Sequence, residues 1–70
     1  MDYVVVIEKA DDGSYSAYLP DLPGCVACGD TADEVRQRIE EAVQLHLESL
    51  REHNEIVPMP SAKAIVVHAA

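Results

Sequence analysis

Two short apolar segments set the terms on which this chain can fold. Residues Tyr3 to Glu8, YVVVIE, are β-branched, brief and bounded by polar positions, which are the marks of a strand. Strand alternation puts Tyr3, Val5 and Ile7 on one face and Val4 and Val6 on the other, so both faces are apolar. Lys63 to His68, KAIVVH, repeats the pattern, with Ala64 and Val66 opposed to Ile65 and Val67. The chain has one long helical pattern, and one helix covers one face of a sheet. The other face is buried by something outside the chain or stays an exposed apolar patch. The pattern therefore asks for an oligomer or a partner.

Between these segments the remaining elements follow in order. ADDGSY supplies a turn, with Asp12-Gly13 offering the positive φ of a tight hairpin. Ser14 to Leu19 returns as a strand with Tyr15, Ala17 and Leu19 on one face and Ser14, Ser16 and Tyr18 on the other. CVAC, Cys25 to Cys28, reads as a third short strand. Thr31 is an N-cap, and Glu34 three residues on completes a capping box. Asp30 and Asp33 add negative charge at the positive end of the helix dipole. Val35, Ile39, Ala42, Val43, His46, Leu47 and Leu50 then recur on one helix face, with Glu34, Arg38, Glu41, Gln44, Glu48 and Glu52 mostly away from it. Asn54 ends the helix in a left-handed conformation, and VPMP, Val57 to Pro60, makes a stiff connector to the last strand. The predicted fold is α+β: one domain over residues 1–70, β-β-β-α-β, an antiparallel-rich sheet with one long helix on one face.

Charge narrows the partners. Thirteen acidic against five basic side chains give a net charge of −8. Nucleic-acid binding depends on Lys and Arg displacing counterions, so this field repels a phosphate backbone, and anionic membranes likewise. It suits a basic protein partner. No stretch is apolar and long enough to span a bilayer, the first residues lack a signal-peptide pattern, and two cysteines make no disulfide framework. A cytoplasmic protein is the expectation. Seventy residues lie near the lower limit for a single core, which again favours self-association, as a dimer or tetramer.

Few residues point to chemistry. Cys25 and Cys28 supply only two of the four ligands of a zinc site, and they precede the helix cap rather than opening the helix as a redox pair does. Gly24 and Gly29 fit neither phosphate-binding spacing, no lysine follows, and Asp30 would repel an anion. His46 and His53 have no nucleophile or carboxylate placed to work with them. No catalytic residue, cofactor or metal is expected. The candidate contacts are instead the PDLPG turn, with Asp21, Leu22, Pro23 and Gly24, and the acidic helix face, with Glu34, Glu41 and Glu48.

The combination of YLPDLPGC, GDTADEV, the helix RQRIEEAVQLHLESL and IVPMP before a last strand resembles the HicB-type antitoxins. Asp21, Leu22, Pro23, Gly24, Cys25, Gly29, Asp30 and Thr31 match the family pattern in order. The resemblance implies a core similar to a cut-down ribonuclease H fold, self-association, and neutralisation of a small basic toxin, HicA, that cleaves mRNA. The sequence departs from many family members in showing no counterpart of their operator-binding domain, so DNA binding is not expected. Two other functions stand beside this one. A residual ribonuclease H-type nuclease would need carboxylates converging on two metals, where the first strand offers Val5, Val6 and only Glu8 at its end. A stand-alone homo-oligomeric scaffold or small-molecule binder would use the surplus apolar face for itself.

Overall fold

A computed structural model describes residues Met1–Ala70. Three strands, β1 (Val6–Lys9), β2 (Tyr15–Leu19) and β3 (Leu22–Gly29), form an antiparallel meander in the order 1-2-3, followed by one helix, α1 (Ala32–Glu52). The β1–β2 turn is built as its sequence predicts. Gly13 has φ of 89°, and the Asp12 carboxylate accepts from both the backbone N–H and the hydroxyl of Ser14, at 2.9 and 2.6 Å. These bonds hold the Asp12 carboxyl below its ordinary pKa.

The helix ends are satisfied locally. The Thr31 hydroxyl accepts from the Glu34 N–H at 3.1 Å, an N-cap worth about 1 kcal/mol. At the other end Asn54 has φ of 54°, and Glu55 N–H and Asn54 N–H donate to the carbonyls of Leu50 and Arg51, closing a Schellman motif. The His53 ring adds a contact from Nδ1 to the Ser49 carbonyl at 2.7 Å.

The core lies between the helix and β2–β3. It consists of Ala17, Leu19, Leu22, Cys25, Val35, Ile39 and Leu47, with Tyr3, Tyr15, Ala27, Ala42, Val43, Leu50 and Val57 packed at its margin. The expected helix stripe therefore faces the sheet, and His46 sits half-buried beside it. Close approach depends on Gly29, where an added Cβ would meet the Val35 backbone nitrogen at 2.9 Å.

Three expectations are corrected. β1 pairs only from Val6 onward: the register shift at Tyr18/Leu19 leaves Val5 without a ladder partner, and the turn at Pro20 ends β2 before Val4 and Tyr3. β3 is longer than CVAC and begins at Leu22. It absorbs Pro23 and Gly24 as an irregularity, Leu19 pairing with Leu22 and Tyr18 with Val26, and Gly24 takes φ of 85°. Most consequentially, Lys63–His68 is not a strand of this sheet. It pairs with nothing, and Ile65, Val66 and Val67 are 82%, 100% and 74% exposed. The order within one chain is thus β-β-β-α followed by an unpaired arm.

The arm is held at its root. The Tyr3 hydroxyl donates to the Pro58 carbonyl, and the Asp21 carboxylate accepts from Ser61 N–H (2.9 Å), Ser61 Oγ (2.8 Å) and Ala62 N–H (3.0 Å). The radius of gyration is 13.6 Å. A compact chain of this length would have about 11 Å, and the excess reflects the projecting arm.

Candidate protein-binding surface

The seven residues singled out from the sequence do not form one cluster. Leu22 is 1% exposed and belongs to the core, so it offers no side-chain surface to a partner. Asp21 has both carboxylate oxygens engaged by Ser61 and Ala62; those bonds, led by the one from Ala62 N–H, hold its carboxyl below the usual range. Within the turn the exposed residues are Pro20, Pro23 and Gly24. The PDLPG stretch is thus chiefly a device that shapes β3 and anchors the arm.

Glu34, Glu41 and Glu48 recur every seven residues and lie on the helix face opposite the buried stripe. Glu34 is partly neutralised: Arg38 Nη2 reaches its Oε1 at 2.7 Å, while Arg38 Nη1 donates to the Cys28 carbonyl at 2.8 Å. Glu41 and Glu48 are exposed and carry no ion pair. Leu45, 66% exposed, stands among them, an apolar anchor within an acidic face. It is the one leucine of the helix outside the apolar stripe, and that spacing is its signal in the sequence. Because Glu34 is tied through Arg38 to the far end of β3, it and the Pro23–Gly24 kink mark opposite ends of that strand.

A second surface lies on the sheet face away from the helix. Register places Val6 beside Tyr18 and Tyr18 beside Val26, an apolar row across all three strands, with Tyr18 41% and Val26 64% exposed. The next row is Glu8, Ser16 and Cys28, which is polar. The surplus apolar face expected from the sequence is therefore real, and confined to one end of the sheet.

The remaining chemical candidates separate. Cys25 is buried against the helix, and burial pushes its thiol pKa up, whereas Cys28 is exposed on the other face. The two sulfurs therefore do not act as a pair. Glu8 stands beside Ser16, and no three His, Cys, Asp or Glu side chains converge as a metal site would require. His53 caps the helix and His68 lies on the arm. No ligand-sized cavity opens on the surface. No helix is long and apolar enough to cross a membrane.

Comparison with known proteins adds a consistent set of similarities. Residues 3–69 match a family model described as the HicB-like antitoxin of bacterial toxin–antitoxin systems. A UPF0150 protein of Thermoplasma acidophilum is 45% identical over 69 residues, spanning 99% of this chain and 100% of that protein. A protein of Photorhabdus laumondii named antitoxin HicB 1 is 33% identical over 60 residues, which cover 86% of this chain and 39% of the relative. The crystal structure of the N-terminal domain of Burkholderia pseudomallei antitoxin HicB superposes with a TM-score of 0.74 at 30% identity, covering 84% of this chain and 69% of that one.

Proposed function

Because the chain belongs to the HicB-like antitoxin family, we propose that it neutralises a toxin by binding it, the toxin being a small basic HicA-like ribonuclease that cleaves mRNA. Family membership over residues 3–69 carries this reading. The surface chemistry supports it. A net charge of −8 and the outward Glu41–Leu45–Glu48 patch suit a basic protein surface: the carboxylates steer the encounter and the leucine supplies apolar contact. In this reading the chain works in the cytoplasm, performs no catalysis, needs no cofactor, makes no contact with nucleic acid, and self-associates through its surplus apolar surface.

The scaffold reading rests on the Val6–Tyr18–Val26 row, an apolar strip that a second copy of the chain could cover. Co-expression of the tagged chain with the product of a neighbouring small reading frame, where that frame encodes a basic protein, separates the two. The antitoxin reading expects a complex that co-purifies at low salt, weakens at high salt, and relieves growth arrest and mRNA cleavage. A chain that purifies alone as a defined oligomer, with a harmless neighbour, would replace it with the scaffold reading.

A further inference from the structure

The unpaired arm and the two edges of the sheet are related. β3 presents a protected edge: Pro23 has no N–H to donate, Gly24 breaks the ladder, and the Cys28 carbonyl already accepts from Arg38. β1 presents an open one. The stretch from Tyr3 through β1 to Lys9 has no proline, glycine or bulge, and it is β-branched for most of its length. Its composition is that of an interior strand, apolar on both faces, although it stands at an edge. Val5 and Ile7 remain 36% and 42% exposed, because the helix lies over β2 and β3.

The arm has the matching character. Ile65 and Val67 oppose Ala64 and Val66, and residues 56–70 contain no Asp or Glu, whereas Asp2 and Glu8 flank the open β1 edge. Its root, however, directs it away from that edge in the same chain. The connector is pinned beside the start of β1 by Tyr3 and Pro58. It then crosses the end of the sheet to the β2–β3 turn, where Asp21 holds Ser61 and Ala62. The arm is therefore rooted at the β2–β3 turn, and the edge strand β1 is not one of the two strands that this turn joins.

We infer that Lys63–His68 of one copy adds as a fourth strand to the β1 edge of a second copy, and that the exchange is reciprocal. The occupant of each open edge is thus the arm of its partner, the low-cost symmetric route to a dimer. Backbone hydrogen bonds that the arm lacks within its own chain are made to β1, and Ile65, Val66 and Val67 are withdrawn from water together with Val5 and Ile7. The inference deepens the self-association part of the proposed function and is independent of the toxin.

Hydrogen exchange of the full chain at high and low protein concentration, with mass measured by light scattering, tests it. The expected result is a dimer at high concentration in which amides of 64–67 and of the β1 edge exchange at least about tenfold more slowly than after dilution. Val66→Pro, at a fully exposed position where the fold is indifferent, abolishes both the dimer and the protection, while Val66→Ala keeps both. A dimer with unprotected arm amides overturns strand exchange but leaves self-association standing. A chain that stays monomeric at high concentration overturns both. Arm amides protected to the same degree in a monomer would mean pairing within one chain, and would overturn the exchange.

Discussion

Asp21 and Ser61, forty residues apart in the chain, are joined by two hydrogen bonds, one to each oxygen of the carboxylate. A third bond from Ala62 N–H shares one of those oxygens. An aspartate in a turn motif that reads as a recognition loop is therefore the fixed point from which the arm departs.

Asp21→Ala should release the arm root without unfolding the core, since the carboxylate is at the surface and no core residue rests on it. Backbone amides of Ser61 and Ala62 should then exchange at nearly unprotected rates while those of α1 keep their protection. Loss of protection in the helix would contradict this assignment. The same clasp is acid-sensitive. Hydrogen bonds to the charged form lower the Asp21 pKa below its unfolded value of about 3.9. Its contribution is thus complete above that value and lost as pH falls through the lowered one. Ser61 and Ala62 amide resonances should stay constant from neutral pH down to about pH 4 and move only below it.

Leu22→Ala should act on the fold rather than on recognition. Removing a side chain that is 1% exposed costs about 2–5 kcal/mol, comparable with the roughly 3–5 kcal/mol that a core of this size supplies. Circular dichroism should report a largely unfolded chain. Pro23→Ala, at an exposed position on the protected edge, should leave the spectrum unchanged.

Gly29→Ala should be destabilising by about 1–3 kcal/mol, since the new methyl would press on the backbone nitrogen of Val35, which the helix cannot withdraw without leaving its cap at Thr31. Urea denaturation measures it. A midpoint equal to that of the parent chain would mean that helix and sheet approach less closely than described.

Charge reversal on the helix should discriminate between carboxylates. Glu41→Lys with Glu48→Lys should slow association with a basic partner about tenfold at low ionic strength and much less at high. Glu34→Lys should have a smaller effect on that rate, because Arg38 already neutralises Glu34. Equal effects at all three positions, read by stopped-flow kinetics, would show that steering depends on net charge rather than on this patch.

Much of this architecture was written in local signals. The Asn54 terminus, the Asp12-Gly13 turn and the helix stripe each rest on residues within a turn or two of one another and form as their spacing predicts; Thr31 caps the helix as expected, but Glu34 pairs with Arg38 instead of completing a capping box. What escaped depends on distance in the chain. Nothing near Asp21 announces that Ser61 will reach it, nor does the composition of Lys63–His68 reveal that its strand has no neighbour in its own chain. Pro23 and Gly24 read as a loop because both disfavour strands, yet an edge tolerates them. Of the candidate contacts, Glu41 and Glu48 lie where helical periodicity put them, whereas Leu22 was concealed by a burial that only the β2–β3 pairing creates.

The 1-2-3 order of the meander carries a consequence for how the chain is made. Every ladder joins strands that are consecutive in sequence, so the sheet can zip as a pair of hairpins and take up the helix soon afterwards, a topology associated with rapid folding. The arm follows the helix and contributes nothing to that core. During synthesis it emerges after all three strands and the helix that covers them, with the β1 edge still vacant. If the arm is exchanged as inferred above, pairing of a newly made copy is decided after folding rather than by it, and follows the local abundance of finished chains.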